Sequence, residues 1–319
     1  MRSLITGGAG FIGSHLAEAL VARGEQVIVL DDLSTGRYDN VAPLLERGDV
    51  EFALGSILNA DLVDDLVRRA DRVFHLAAAV GVQLIVEQPL ESLATNLRGS
   101  ENVLEKAHKY DTPTLVTSTS EIYGKNTSDV LGEDDDRILG SPLKTRWSYS
   151  EAKAIEEVLA HTYWRQKGLR TVVTRLFNTV GPRQTGHYGM VIPRFVNQAL
   201  RDEPLTVYGD GTQTRCFTHV ADVVRALVDL AEHPDAPGTV FNVGSQDETS
   251  IAALAEQVIE LSDSNSTVRY VPYDEAYEEG FEDMARRVPD TTRLEKLTGF
   301  APTIDLDGII RSVVADQRS

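Results

Sequence analysis

One cysteine, Cys216, stands in a chain of 319 residues, so no disulfide can form within it. That scarcity suits a reducing compartment, and a cytoplasmic location is expected. Cys216 sits between Arg215 and Phe217 and reads as a small buried side chain, not as a nucleophile. No apolar run is long enough to span a bilayer, so no membrane partner is expected. The glycine loop begins by residue 7, which leaves no room for a signal peptide. Basic residues are few, 31 against 49 acidic ones, and the net charge is −18. Without a basic run or a basic–aromatic stripe, nucleic acid is not an expected partner. An anionic surface slows anionic substrates, so any anion site must be locally basic. The acid excess serves solubility or suits a salty cytoplasm. Internal repeats and low-complexity tracts are lacking too. The acidic run Glu133-Asp134-Asp135-Asp136 reads as a solvated loop, and no metal is expected.

Ile5-Thr6-Gly7-Gly8-Ala9-Gly10-Phe11-Ile12-Gly13 organises what is present. A short apolar strand precedes it. A helix follows, with Ile12, Leu16, Ala19 and Leu20 on one face. Gly8, Gly10 and Gly13 have the spacing of a dinucleotide fingerprint, and Gly7 adds a second spacing of three. Glycine lets a pyrophosphate approach the backbone, and the helix start offers it N–H groups and the positive end of a dipole. A second strand, residues 26–30, ends at Asp31. An acid there accepts hydrogen bonds from ribose hydroxyls, which favours NAD over NADP.

Up to residue 175 strands alternate with helices. Strands are expected at 2–5, 26–30, 51–54, 73–76, 114–117 and 171–175, and helices at 11–23, 60–69, 90–108 and 150–167. Short connections imply a parallel, doubly wound α/β sheet with ligands at the strands' carboxyl ends. Asp31-Asp32-Leu33-Ser34, Gly55-Ser56-Ile57, His75-Leu76-Ala77-Ala78 and Ser118-Thr119-Ser120-Glu121 lie on such ends. Ala77 and Ala78 are small enough to let a flat cofactor approach, and His75 reads as a packed core histidine. From residue 176 the rhythm loosens. Helices at 192–200, 220–231 and 250–261 and a strand at 205–208 suggest a smaller, mixed α/β C-terminal lobe. Residues 239–243 read as a strand that returns to the main sheet. The expected division is therefore 1–175 for the cofactor and 176–319 for the substrate.

Tyr149 and Lys153 open a helix four residues apart and share a face. An ammonium near a phenol favours phenolate, which would make Tyr149 a general base near neutral pH. The same lysine can hold the nicotinamide ribose. Ser118 or Thr119 could hydrogen-bond a sugar hydroxyl as it is oxidised, and Glu121 could be a second acid/base or hold a substrate hydroxyl.

The chain resembles the extended short-chain dehydrogenase/reductases that modify nucleotide sugars. The likeness runs nearly end to end. It is carried by residues 6–13, Asp31-Asp32-Leu33-Ser34-Thr35-Gly36, His75-Leu76-Ala77-Ala78, Tyr149/Lys153, Arg175-Leu176-Phe177-Asn178, Gly181-Pro182-Arg183 and Val207-Tyr208-Gly209-Asp210-Gly211. The resemblance implies a Rossmann-type fold, a tightly held NAD, a UDP-sugar in the second lobe, and a homodimer built on helices 90–108 and 150–167. Residues expected at NAD are Gly7, Gly10, Phe11, Ile12, Gly13, Asp31, Asp32, Ser34, Thr35, Gly36, Ser56, Ile57, Leu76, Ala77, Ala78, Asn96, Thr117, Tyr149, Lys153, Phe177 and Val180. Asn178, Val191, Thr206, Tyr208, Arg215, Arg286 and Arg287 are expected at the substrate. Arg183 and Arg194 read equally as site residues or as surface charge. One departure stands out. The family has Gly-Asp where this chain has Gly55-Ser56, which weakens the expected contact to adenine.

The family's reactions share oxidation at C4 of the sugar and diverge afterwards. Thr117-Ser118-Thr119-Ser120-Glu121-Ile122-Tyr123-Gly124 is similar to the loop of UDP-glucuronate decarboxylases, as are Arg146-Trp147-x-Tyr149-Ser150 and residues 203–209. Arg286-Arg287-Val288-Pro289-Asp290 resembles their Arg-Arg-Lys-Pro-Asp, whose arginine faces the substrate carboxylate. Tyr188-Gly189-Met190-Val191-Ile192-Pro193 is closer to 4-epimerases. UDP-glucuronate decarboxylation is the leading expectation. A UDP-hexose 4-epimerase is the alternative, followed by a 4,6-dehydratase. A non-catalytic NAD sensor fits least, because both Tyr149 and Lys153 are kept.

Overall fold

A computed structural model describes residues 1–79, 89–144, 147–185, 190–272 and 286–318. The first half alternates as its periodicity predicts. The order is β1 (Arg2–Thr6), α1 (Phe11–Ala22), β2 (Gln26–Asp31), α2 (Ala42–Glu46), β3 (Val50–Leu54), α3 (Ala60–Arg68) and β4 (Arg72–His75). Then come α4 (Pro89–Ala94), a π-helical turn at Thr95–Gly99, α5 (Ser100–Lys109), β5 (Thr114–Thr119), α6 (Ser148–Lys167) and β6 (Thr171–Leu176). These strands and β11 (Val240–Val243) form one parallel sheet in the order β11-β6-β5-β4-β1-β2-β3. Residues 240–243 thus join the main sheet beside β6, from far along the chain.

Side-chain alternation explains both faces of this sheet. Ile5, Val29, Phe74, Leu115 and Val172 point into a core shared with Leu16 and Leu20 of α1. α8 (Val220–Glu232) closes that core with Val223, Val224 and Leu227. Their neighbours Leu4, Ile28, Val73, Val116 and Val173 face the opposite core, covered by α3, α5 and α6. Each fully buried aliphatic side chain contributes about 1.5–3 kcal/mol. Strand order turns back at β1: the chain runs outward to β3, then returns to β4 on the other side. The crevice at the carboxyl ends of β1 and β4 is the topological switch point, where such sheets bind ligands.

The expected helix at 90–108 is interrupted. Its π turn holds Asn96, whose Oδ1 accepts from the Ala79 amide at 2.7 Å and whose Nδ2 donates to the Ala79 carbonyl at 3.2 Å. One extra residue per turn is the usual means of aiming a side chain out of a helix toward a site.

A third core lies in the C-terminal half. α7 (Val191–Ala199) and β8 (Leu205–Tyr208) pack there with α9 (Ile251–Leu261) and α11 (Leu306–Arg318), through Ile192, Phe195, Leu254, Ile310 and Val313. β13 (Val268–Val271) pairs in parallel with β8. Short pairs join β7 (Thr179–Val180) to β10 (Thr218–His219), and β9 (Thr214–Cys216) to β12 (Glu248–Ser250). α10 (Thr292–Thr298) packs on the main core through Leu294.

Candidate active site

The glycine loop turns sharply between β1 and α1. Gly7 has φ of +71°, and a Cβ on it would lie 2.8 Å from the Ala77 amide nitrogen. A side chain there would push β4's exit loop away from β1. Gly10 caps α1 with no side-chain hydrogen bond, and no acid sits in the first turn. The helix therefore begins with open N–H groups at its positive end, as an anion requires. Asp31 is buried at the end of β2. Its carboxylate accepts from Ala9 N at 2.9 Å and Leu33 N at 2.8 Å, and burial pushes its pKa up. Asp32 accepts from the Ser34 amide at 3.0 Å. Ser34 and Thr35 are exposed beside Gly36, which packs against Asp31. Ile57 is buried, and its carbonyl accepts from Asn102 at 2.9 Å; Ser56 Oγ faces its own loop at Leu58 N, 3.4 Å away. These donors and openings fit a dinucleotide.

At the switch point, Thr6 Oγ1 accepts from the Ala77 amide at 3.2 Å and lies 2.7 Å from His75 Nδ1. His75 Nε2 lies 2.9 Å from Ser100 Oγ. His75 is a fully buried core histidine, and burial pulls its pKa down to about 3. Asn96, expected at the cofactor, is buried and uses its amide to clamp the exit loop of β4 at Ala79.

The chemistry-bearing groups converge where β5 ends. Thr117 is tied to the His75 carbonyl at 3.1 Å. Ser118 Oγ is buried with no hydrogen-bond partner among the described residues. Thr119 caps the 3₁₀ turn Ser120–Tyr123 by accepting from Glu121 N at 3.2 Å, and its side chain also hydrogen-bonds Tyr149. Ser150 Oγ donates to the Glu121 carbonyl at 2.8 Å, which fixes the start of α6 on this loop. The Glu121 carboxylate takes a short hydrogen bond from Arg287, which is 9% exposed. The segment carrying Arg287 is bound across Leu131, whose amide donates to Val288 O and whose carbonyl accepts from Asp290 N, both at 2.8 Å.

One expectation is corrected here. Lys153 was expected to lower the Tyr149 phenol. Instead its ammonium donates to Glu156 at 2.5 Å, and the phenol is raised above its ordinary value, first by burial and then by the charges of Glu156 and Glu121. Glu156 carried no sequence signal beyond its i, i+3 spacing from Lys153. Burial, not Coulomb attraction to Lys153, dominates at Tyr149 in this arrangement.

The remaining expected positions follow β6. Phe177 and Val180 are buried, and Asn178 donates to the Cys216 carbonyl at 2.9 Å. Val191 opens α7, and Thr206 is bound through its amide and hydroxyl to Gln198. Tyr208 has the Arg194 guanidinium 4.5 Å from its ring centroid, which takes Arg194 out of the class of free surface charges. Arg215 is buried and donates to the Thr214 carbonyl at 2.7 Å. Arg183 turns to α1, bonding Ser14 at 3.1 Å and Glu18 at 2.6 Å. The adjacent arginines part company. Arg287 reaches Glu121, whereas Arg286 is more exposed and grips Glu248 and Asp129. Cys216 is buried, and burial pushes its thiol up to about 12. Among the described residues no cluster of histidine, cysteine or acids could hold a metal. The motif residues Arg146, Tyr188 and Gly189 lie outside the described residues.

Comparison with known proteins gives this geometry a context. Residues 3–244 match the NAD dependent epimerase/dehydratase family. The chain is 42% identical over 314 residues to a UDP-N-acetyl-alpha-D-glucosaminuronate decarboxylase of Bacillus cytotoxicus, covering 98% of this chain and 96% of that one. It is 35% identical to UDP-glucuronic acid decarboxylase 1 of Arabidopsis thaliana, over 100% of this chain and 70% of that one. A crystal structure of UDP-glucose 4-epimerase from Thermotoga maritima with UDP-glucose superposes with a TM-score of 0.90 at 30% identity, covering 100% and 99% of the two chains. UDP-glucuronic acid 4-epimerase from Bacillus cereus, solved with UDP-glucuronic acid and NAD, gives 0.87 at 28% identity over 100% and 99%.

Proposed function

The chain belongs to the NAD-dependent epimerase/dehydratase family, and from that premise we propose that it decarboxylates a UDP-linked uronic acid through transient oxidation at C4. Bound NAD supplies a hydride acceptor for C4 that later gives the hydride back. Tyr149 takes the C4 hydroxyl proton, with Thr119 as its hydrogen-bond partner and Lys153 one turn away on the same helix face. Oxidation makes C6 the carboxylate of a β-keto acid, so the C5–C6 bond breaks, CO2 leaves, its electrons flow toward the C4 carbonyl, and the resulting enolate takes a proton from solvent at C5 to restore the C4 ketone. Arg287 holds that carboxylate, and Glu121 orients Arg287. Asn178 and Arg215 line the path of the diphosphate, and the Tyr208–Arg194 stack flanks it.

A single observation carries the choice of a uronate substrate, and the 42% identity to a uronate decarboxylase favours decarboxylation. Arg287 is buried and reaches Glu121 on the short turn beside Tyr149, and its Nε has no hydrogen-bond partner among the described residues. A site for a neutral hexose gains nothing from a buried cation with a spare donor; a site for a uronate does. The two decarboxylases named above are named for uronates with an acetamido group or a hydroxyl at C2, and both substrates belong in the assay.

The purified protein is incubated with NAD and either UDP-glucuronate or its 2-acetamido counterpart, and products are read by NMR with CO2 trapping. A UDP-pentose with one CO2 per turnover is expected. A C4 epimer without CO2 overturns decarboxylation in favour of epimerisation. Tyr149→Phe removes the base and lowers turnover about 10³-fold with the fold intact by circular dichroism. A homodimer is supported by apolar residues left exposed on α6, and a cytoplasmic location by the single buried thiol. No helix among the described residues is long and apolar enough to cross a membrane.

A further inference from the structure

Glu156 is buried, with a side chain only 1% exposed, and takes part in no step above. Tyr149, Lys153 and Glu156 fall at i, i+4 and i+7 of α6, so all three share one face. Lys153 lies between the other two. Glu156 Oε2 accepts from Lys153 Nζ at 2.5 Å, and its Oε1 is 3.4 Å from His75 Nε2. The Ser100 hydroxyl hydrogen-bonds it from α5. Other charge nearby is already committed: His75 is neutral in its buried place on β4, and the adjacent Glu157 is held by Arg175 at 2.8 Å. Lys153 is therefore the one cation that balances Glu156 among these facing groups.

We propose that Glu156 is a positioning residue that fixes the Lys153 ammonium one helical turn from Tyr149 and, as its counter-ion, makes the Tyr149 phenol a more reluctant acid. Lys153 alone would favour phenolate at Tyr149. A carboxylate bonded to that ammonium cancels much of the effect in a dry setting, where charges are weakly screened. The direction at Tyr149 agrees: after burial, the Glu156 carboxylate is the leading charge that raises the phenol. Glu121 raises it from the opposite side. The device keeps Tyr149 protonated until substrate and cofactor change its surroundings, and it spares Lys153 from standing unpaired in the interior.

The inference rests on Tyr149 being the base, and its test separates the two ideas. Difference absorbance near the phenolate band, wild type against Tyr149→Phe, reports the Tyr149 titration without turnover. In Glu156→Gln that titration shifts down by about one pH unit, and the acid limb of the kcat profile moves the same way. Glu156→Asp keeps the charge and brings the titration back to within about 0.3 unit of wild type. A packing role alone would lower Tm and move neither curve; unshifted curves in a folded Glu156→Gln protein overturn the proposal. Should Glu156→Gln not fold, ¹³C NMR of wild type labelled at the glutamate carboxyls decides it, with the resonance lost in Glu156→Asp as the reporter. An ionised Glu156 at neutral pH supports the counter-ion role, and a protonated one overturns it. If Tyr149→Phe stays fully active, the reading of the base fails instead, whatever Glu156 does.

Discussion

Two adjacent arginines have different fates, and that difference is testable. Arg287→Gln removes the cation opposite the substrate carboxylate and takes from Glu121 its ion pair with Arg287; decarboxylation should fall about 10²-fold or more. Arg286→Gln breaks an ion pair with Glu248 at the surface, where water and salt screen such pairs, so its rate should stay within about a few-fold of wild type. Steady-state kinetics on both variants check this, and equal losses would sink the assignment. His75 gives a pH prediction. Its folded pKa is depressed to about 3, while an unfolded histidine titrates near 6.5. The stability it contributes is full above that unfolded value and drains away as pH falls toward the folded one. Between pH 7 and pH 5 the loss is about 2 kcal/mol, read as the difference in urea unfolding between wild type and His75→Asn. Asp31, whose value is raised, acts with the opposite sign in both proteins and cancels from that difference. At this scale the sequence is legible where chemistry is local. The glycine loop and the Tyr149/Lys153 pair are spacings within one turn. The Arg287–Glu121 bond spans 166 residues, and only likeness to a family pointed there. Glu156 was overlooked because an acid three residues from a lysine ordinarily reads as a solvated helix pair.

α6 shows how one helix serves two masters. Its inner face carries Tyr149, Lys153 and Glu156. On its outer side Ile155 is 46% and Val158 64% exposed, although both are apolar. A second copy covering this face would explain them. Val158→Lys should then yield monomers by light scattering while the inward face, and NAD binding, stay intact; a wild type that is already monomeric would refute the dimer. The regular elements of the first half were legible because each has a long apolar period and a glycine or polar break. The helix at 90–108 was legible in place but not in form. Its π turn answers to Ala79, a contact no periodicity reports. α11 was missed although Ile309, Ile310, Val313 and Val314 stand at helical spacing. The pairing of β13 with β8 was not readable, since strands of four residues carry little pattern and their register is set by the third core.

Across the whole molecule, the two halves are fastened by polar contacts between α1 and the segment after β7. Arg183 bonds Ser14 and Glu18, and His15 Nε2 lies 3.0 Å from the Pro182 carbonyl. Around this frame the chain carries a net charge of −18, which no single bond explains. Like charges held on a compact surface repel, and unfolding lets them separate. Salt weakens that repulsion once the Debye length falls below the spacing between charges, about 10 Å at 0.1 M and about 3 Å at 1 M. Exposed pairs such as Arg37–Asp39 and Arg47–Asp49 lose attraction in the same salt, but each contributes well under about 1 kcal/mol. Repulsion summed over the excess acids should outweigh them. Raising KCl from about 0.05 M to about 1 M should therefore raise Tm by several degrees, and the affinity for anionic UDP-sugars should suffer less from salt than a neutral surface would predict. The two effects part at the site. Arg287 and Arg215 are buried, so their attraction for the substrate is poorly screened, while the repulsive field outside is screened well. A Tm that falls with KCl would mean that the exposed ion pairs, not the acid excess, govern the charge balance of the fold.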